Sequence, residues 1–435
     1  MYGPIQLLHP GANIIMRLSI LAVGLGSVFC ASHASAHTIV VGTCEPSANS
    51  LPTIGAAVTA VGTNGVVKIC PGTYPEQVVI NRSMTLEGVS NSNSAYPSIV
   101  VPVAGLVTNT TDFDTGQPTA AQILVTSGAT VNISGLTVDG SNNNITTCGE
   151  GLSGVMFQNA SGSVKSSAVV NQVLPAGYAG CQNGLAIYAE TSSGSTSSVT
   201  IEDNIVQNFD KNGITADDTG TSAVISGNIV TGQGSWSGAG QNSIQVAEGA
   251  TASITGNTVG SDIWGPDQFG DTADGAAGIL IYDSPGVSIT KNTVSSTQYG
   301  IAVVYDGMGP VSDGAVITGN MIATTYFYDA VDVCGANNAA VIKNVVSGAG
   351  ESAIHIDSTC AVPSTGSTIT GNKINFACAG ILIGTGSSAT LGTNSILNAG
   401  TQVLSGADVC AGESPVGPQV KRKAKPPTSP FGVRH

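Results

Sequence analysis

Hydrophobic and polar residues alternate along this chain in strand-length runs, and Gly, Ser, Asn and Asp break every run. A period of two over so short a span predicts β-strands, and nowhere does the 3.6-residue apolar period of a helical repeat take over. One phrase keeps returning: a hydrophobe, Ser or Thr, a small or polar residue, then Asn. Its copies are Ile225–Asn228, Ile254–Asn257, Ile289–Asn292, Ile317–Asn320 and Ile369–Asn372, with looser ones ending at Asn204, Asn344 and Asn394. Successive asparagines stand 24, 29, 35, 28, 24, 28 and 22 residues apart. A strand-bearing repeat of this size is a solenoid. Segments of unequal length that share one fixed Asn carry their extra residues in loops. The expected fold is therefore all-β: a right-handed parallel β-helix, with equivalent residues stacked about 4.8 Å apart. An inward Asn can pass amide hydrogen bonds to the Asn above it and satisfy turn carbonyls, so a structural ladder is assigned to this column.

A second strand recurs between the Asn phrases. Its copies begin at Gly184, Gly213, Ser243, Gly278, Gly300, Ala330, Ala353 and Gly380. Alternation places the second and fourth residue of each inside and the third and fifth outside. The outward third positions are then Ala186, Thr215, Gln245, Leu280, Ala302, Asp332, His355 and Leu382. The fifth are Tyr188, Asp217, Ala247, Tyr282, Val304, Cys334, Asp357 and Gly384.

Residues 37–65 precede the coils, and Ser50-Leu51-Pro52-Thr53 followed by Ile54, Ala57, Val58 and Val61 predicts a short amphipathic helix. Such a helix would cap the first open coil, whose bare edge would otherwise be sticky. The coils span 66–410, and 411–435 read as a basic, Pro-rich, disordered tail. Residues 1–36 read as an export signal: Met16-Arg17 starts it, Leu18 to Phe29 supply the apolar run, and Ala34-Ser35-Ala36 the cleavage site. Met16 is the expected start. The apolar run is too short for a bilayer span. These features predict a secreted or periplasmic protein.

Cys30 falls in the signal, which leaves Cys44, Cys70, Cys148, Cys181, Cys334, Cys360, Cys378 and Cys410. An even set in an exported chain predicts disulfides. Sequential pairing would span about one coil each time, although spacing alone does not fix connectivity. The net charge is −14, and between His37 and Val420 the basic residues are only Lys68, Arg82, Lys165, Lys211, Lys291, Lys343 and Lys373. So sparse a set excludes nucleic acid as a partner.

The helix cap, the stretch Val66–Ile80 (VVKICPGTYPEQVVI) and Met84–Val89 (MTLEGV) together resemble the opening of pectinesterases and of other proteins of the pectin lyase-like superfamily. With the Asn-bearing coils the resemblance covers most of residues 50–400 and implies the β-helix fold. It does not carry one activity, because the opening is shared by lyases, hydrolases, esterases and epimerases. The family motifs are missing. Asp217-Asp218 is similar to the central Asp pair of polygalacturonases, but no Gly-His-Gly or Arg-x-Lys follows. No Asp-Pro-His-Asp motif occurs, and no arginine stands between Arg82 and Arg422 to serve a pectate lyase.

Chemistry is expected on the outward face of the second strand. Asp332 and His355 share a column on adjacent coils, and Asp357 lies two residues on. The backbone offset from Asp332 to Asp357, near ~8 Å, falls in the window of an inverting glycosidase pair. One Asp would be general acid and the other would activate water, with His355 tuning both; the alternative is an ordinary surface ion pair. Asp217 and Asp218 form a second candidate, or else an Asx turn that ends a strand. Tyr282, Tyr305, Tyr326, Tyr328 and Trp264 are candidates to stack on sugar rings. The Gly-rich loop bearing Asp262, Asp267, Asp271 and Asp274 offers hard oxygen ligands for Ca²⁺, without EF-hand spacing. Two functions fit. One is a carbohydrate-active enzyme that cleaves or modifies a polysaccharide or cell-surface glycan in a lateral groove. The other is a non-catalytic adhesion or glycan-binding rod.

Overall fold

Each coil is built from three short strands, and the turns between them fall where Asn, Gly and Asp punctuate the sequence. The computed structural model describes residues 37–45, 50–90, 96–178, 181–236, 238–265 and 275–410. The expected signal and basic tail lie outside the described residues. In one representative coil the strands are Thr221–Ser226, Ile229–Trp236 and Asn242–Ala247. Each pairs in parallel with its counterpart one coil on: Thr251–Thr255, Thr258–Trp264 and Ala277–Tyr282. Three parallel ribbons thus run the length of the molecule, as the repeat predicts.

Aliphatic residues stack inside. The column Ile187, Ile214, Ile244, Ile279, Ile301, Val331, Ile354, Ile381 is in register throughout and fully buried. β-Branched side chains suit this position because their restricted rotamers pack well on a pleated wall.

The asparagine ladder follows the first strand of each coil and is continuous from Asn204 to Asn394. The Oδ1 of each Asn accepts from both the backbone N–H and the Nδ2 of the Asn one coil before it, at 2.9–3.1 Å. Each Nδ2 also donates to a strand carbonyl, as Asn257 does to Ile225 at 3.0 Å. Every polar atom of a buried amide is used, which is the condition for keeping such a column in an apolar interior.

The capping helix is Ile54–Ala60. Thr53 Oγ1 accepts from the backbone N–H of Ala56, and the Glu76 carboxylate accepts from the N–H groups of Ile54 and Gly55, both at 2.8 Å. An acidic group there satisfies the free donors of the first turn. The segment before the coils also gives a strand to the first ribbon, since Thr38–Val41 pairs in parallel with Gly65–Ile69. Four disulfides close in sequential order: Cys44–Cys70, Cys148–Cys181, Cys334–Cys360 and Cys378–Cys410. Among the described residues no helix is long and apolar enough to cross a membrane.

Candidate active site

The third strands form a lateral wall on which two polar clusters sit. The outward column of this wall reads Tyr188, Thr215, Gln245, Leu280, Ala302, Asp332, His355, Leu382. The expected column holds except at its first member: Tyr188, not Ala186, stands beside Thr215. The copy beginning at Gly184 is displaced by two residues, because Gly184 imitates the Gly213 that opens the next one. The neighbouring column therefore starts with Glu190 beside Asp217.

The first cluster surrounds a pocket at the N-terminal part of the wall. A loop insertion forms one side, pinned by an antiparallel pairing in which Thr110 and Thr111 meet Thr119 and Pro118. It is bolted to the wall by side chains. Gln158 Nε2 donates to the Thr111 carbonyl and to Glu190 Oε1, each at 2.7 Å, and the Phe113 N–H donates to Glu190 Oε2 at 3.1 Å. The Tyr188 hydroxyl lies 2.9 Å from Asp112 Oδ2 and 2.8 Å from Glu190 Oε2. The pocket, of about 90 Å³, is lined among others by Asp112, Asp114, Tyr188, Lys211, Asp217 and Gln245.

Burial sets the protonation of these groups. It lifts Glu190 to about 7, with the charge of Asp112 adding to it. It carries Asp217 well above the usual carboxylate range, helped by the charges of Asp218, Asp114 and Asp112. Asp218 rises to about 6 and Glu248 to about 7 for the same reasons. The phenol of Tyr188 is pushed up as well, by burial and then by Asp217, Glu190 and Asp112. Asp218 does adopt a turn conformation, φ 71°, and its N–H donates to Asp217 Oδ1 at 3.0 Å. Asp217 therefore lines the pocket, whereas Asp218 does not and takes the turn that ends the strand.

The second cluster lies four rungs on from Thr215 at Asp332, roughly 19 Å along the axis. Asp332 and His355 are register neighbours, as are Cys334 and Asp357. Asp329, which sequence reasoning missed, completes the group: its Oδ2 lies 3.2 Å from His355 Nδ1, while His355 Nε2 is 3.6 Å from Asp357 Oδ1. The three residues expected to converge do so, but not as an exposed pair. Asp332, His355 and Asp357 are 4%, 5% and 8% exposed. Oxygens of Asp332 and Asp357 approach within 4.8 Å, shorter than the spacing inferred from backbones, because both side chains point off one face and lean together. That leaves no room for the water of an inverting pair. Burial pulls the His355 pKa down, but the charge and hydrogen bond of Asp329, then Asp357 and Asp332, outweigh it and lift it to about 10. Asp332 is driven far up by burial and by the charges of Asp357 and Asp329.

The remaining candidates disperse. Tyr282 is fully buried, its hydroxyl 2.6 Å from Asp306 Oδ2, so it offers no face to a sugar. Tyr328 is buried as well, stacked on Tyr299 with ring centroids 4.5 Å apart and planes 4° off parallel. Tyr326 is exposed, and Tyr305 and Trp264 are half-buried; none of the three lines the pocket. Asp262 is a fully buried strand residue, its Oδ2 accepting from Ser243 Oγ at 2.6 Å, so it is not a ligand on an open calcium loop. Asp267, Asp271 and Asp274 lie outside the described residues.

Comparison with known proteins supports this architecture. A family profile described as "periplasmic copper-binding protein (NosD)" matches residues 115–307 and 267–409, most of the coiled body. The chain belongs to the NosD family. Solved structures share the fold of this NosD chain. The lacto-N-biosidase of Eubacterium ramulus is 12% identical, with a TM-score of 0.55, over 82% of this chain and 67% of that one. The Dettilon tailspike protein is 14% identical, with a TM-score of 0.51, over 85% and 68%. The A-module of the mannuronan C-5 epimerase AlgE4 from Azotobacter vinelandii is 13% identical, with a TM-score of 0.50, over 80% and 91%. At such identities the likeness is one of fold. No curated protein matches the chain.

Proposed function

We propose that this NosD chain is an exported protein that binds a glycan along its lateral wall and acts on it in the pocket around Tyr188. The observation that carries this reading is the Tyr188 hydroxyl held between Asp112 and Glu190 at 2.9 and 2.8 Å, in an open pocket that Asp217 also lines. In this reading Asp217, kept protonated by its surroundings, is the general acid at a glycosidic oxygen. Asp112 is the partner carboxylate that takes a proton from the attacking water, and Tyr188, hydrogen-bonded to both carboxylates, receives that proton from Asp112 as it gives its own to Glu190, which ionises near neutral pH. Gln245 supplies an amide of the kind that holds sugar hydroxyls, while the amides of Asn183 and Asn212 are spent on the wall itself. Acidic groups outnumber the one lysine there, so a neutral glycan suits the pocket better than a polyanion. The four disulfides and the family's periplasmic description support a place outside the cytoplasm.

The family's description also carries copper. Among the described residues the cysteines are all spent in disulfides. Met84 and Met156 are buried in the walls, and Met308 and Met321 are exposed on separate coils. A thiolate or thioether site for Cu(I) does not fit this set, and no step is derived through copper.

A reducing-sugar and 235-nm absorbance screen over a polysaccharide panel tests the proposal and separates hydrolysis from elimination. Asp217→Asn and Tyr188→Phe should each lower turnover by ~100-fold or more, while Asp313→Asn, elsewhere on the surface, should not. Unchanged turnover in the two pocket variants would sink the assignment. Glycan binding without turnover by the wild type would favour the rod reading.

A further inference from the structure

Asp329, Asp332, His355 and Asp357 sit together in the wall with no basic side chain among them except the imidazole. Among the described residues, the ion pairs they make are those of His355 with Asp329 and Asp357. Asp357 is satisfied by its own turn, but Asp329, Asp332 and His355, each more than nine-tenths buried, are a costly group to hold in a low-dielectric wall, since burying poorly compensated polar and charged groups opposes folding. One atom makes the imbalance local. Asp332 Oδ1 is fully shielded from solvent and has no hydrogen-bond partner, in a residue only 4% exposed.

Donor atoms of Asp329, Asp332 and His355 lie within 4.8 Å of one another. Around a first-row divalent cation with bonds of about 2.1 Å, donors stand roughly 3–4 Å apart, so shifts of less than an ångström would close the set. Asp357 is not part of this set: it faces the other ring nitrogen, its Oδ1 3.6 Å from His355 Nε2, while Asp329 meets Nδ1, and its oxygens already accept from the N–H groups of Ser358 and Thr359 and the Thr359 hydroxyl. Nor is Cys334: its sulfur is bonded to Cys360 and merely packs 3.4 Å from Asp357 Oδ2.

We infer that Asp329, Asp332 and His355 form a binding site for a divalent cation that accepts oxygen and imidazole ligands together, of the Zn²⁺ or Mn²⁺ kind. Hard carboxylates dominate the set, and one nitrogen shifts preference from Mg²⁺ and Ca²⁺ towards these ions. The cation would give Asp332 Oδ1 its missing partner and neutralise the excess charge. Its role is to lock two adjacent coils together, since Asp329 precedes and Asp332 belongs to the strand Val331–Cys334, while His355 belongs to Ser352–Asp357 on the next coil. This site stands apart from the pocket around Tyr188 and does not depend on the function proposed there.

The test uses the full mature chain, stripped with a chelator and titrated with Zn²⁺ and Mn²⁺ by calorimetry and thermal unfolding. One equivalent should bind and raise the melting temperature. Asp332→Asn and His355→Gln should weaken binding by more than ~100-fold, beyond the effect of losing an outer-shell partner. Asp217→Asn, in the distant pocket, should bind as the wild type does. Circular dichroism confirms that each variant is folded, and Asp332→Asn, nearly isosteric, serves if His355→Gln is not. No heat and no melting shift with either ion, or equal shifts in the wild type and Asp332→Asn, would overturn the inference.

Discussion

Asn257→Ala should be among the most damaging single substitutions in the coils. Asn257 Oδ1 accepts from the backbone N–H and the Nδ2 of Asn228, and its Nδ2 donates to Asn292 Oδ1 and to the Ile225 carbonyl, all at 2.9–3.0 Å. Truncation removes these four bonds. Asn228 Nδ2 keeps its bond to Ile201, and Asn292 Oδ1 keeps the backbone N–H of residue 257. The backbone N–H of Asn228, however, loses its partner where water does not reach. One orphaned buried donor costs about 1–3 kcal/mol, and each further lost bond about 1 kcal/mol. A total of ~4–6 kcal/mol follows, before any cost of the void. Asn394 makes similar bonds at the end of the ladder but is half-buried. Water can replace it there, so Asn394→Ala should cost about 1 kcal/mol or less. Urea denaturation followed by circular dichroism compares the two, with amide exchange at Asn228 as a local readout. Equal midpoints for the two variants, or a protected Asn228 amide in Asn257→Ala, would refute the idea that the ladder is held from within.

Stability should fall as pH rises from about 4 to about 7. Burial raises Asp210 from 3.8 and Glu190 from 4.5, each to about 7, so the folded state holds those protons more tightly than the unfolded chain. Their contribution is complete below pH 4 and is lost as pH climbs through about 7, with a span on the order of a few kcal/mol. A urea midpoint that is higher at pH 5 than at pH 8, and a flatter profile in Asp210→Asn, are the expected results; a midpoint that rises over that interval would contradict them. Replacing Cys148 and Cys181 with Ser opens a link between residues 33 apart. It should cost about 3–4 kcal/mol by loop-closure entropy. It should also loosen the pocket wall, where Gln117 Nε2 donates to the Cys148 carbonyl at 2.6 Å, so glycan affinity should drop with stability; affinity that holds while stability drops would detach the disulfide from the pocket.

Much of this molecule can be read from its sequence because stacking repeats one environment. Each Asn of the ladder meets the same neighbours, so the same residue recurs with the same flanking hydrophobe, and the inward Ile/Val column does likewise. The sites were less legible for local reasons. Glu190 was hidden by the two-residue slip at Gly184, and a slip of two preserves alternation, so nothing in the pattern protests. Asp329 precedes its strand and falls outside the copies compared. The insertion carrying Asp112 pairs antiparallel with the wall and belongs to no repeat. Tyr282 kept its place in the column but was covered by Asp306, which periodicity cannot foresee.

Because each amide grips only the rungs directly above and below, the ladder does not register how many residues lie between one grip and the next. Intervals from 22 to 35 residues coexist in one column. A whole turn of the spiral can therefore be lost or duplicated, and a loop lengthened, with the cut ends rejoining Asn to Asn. Growth by such steps leaves the shaft unchanged while its flank is rewritten, so new recognition surfaces can arise without a new fold.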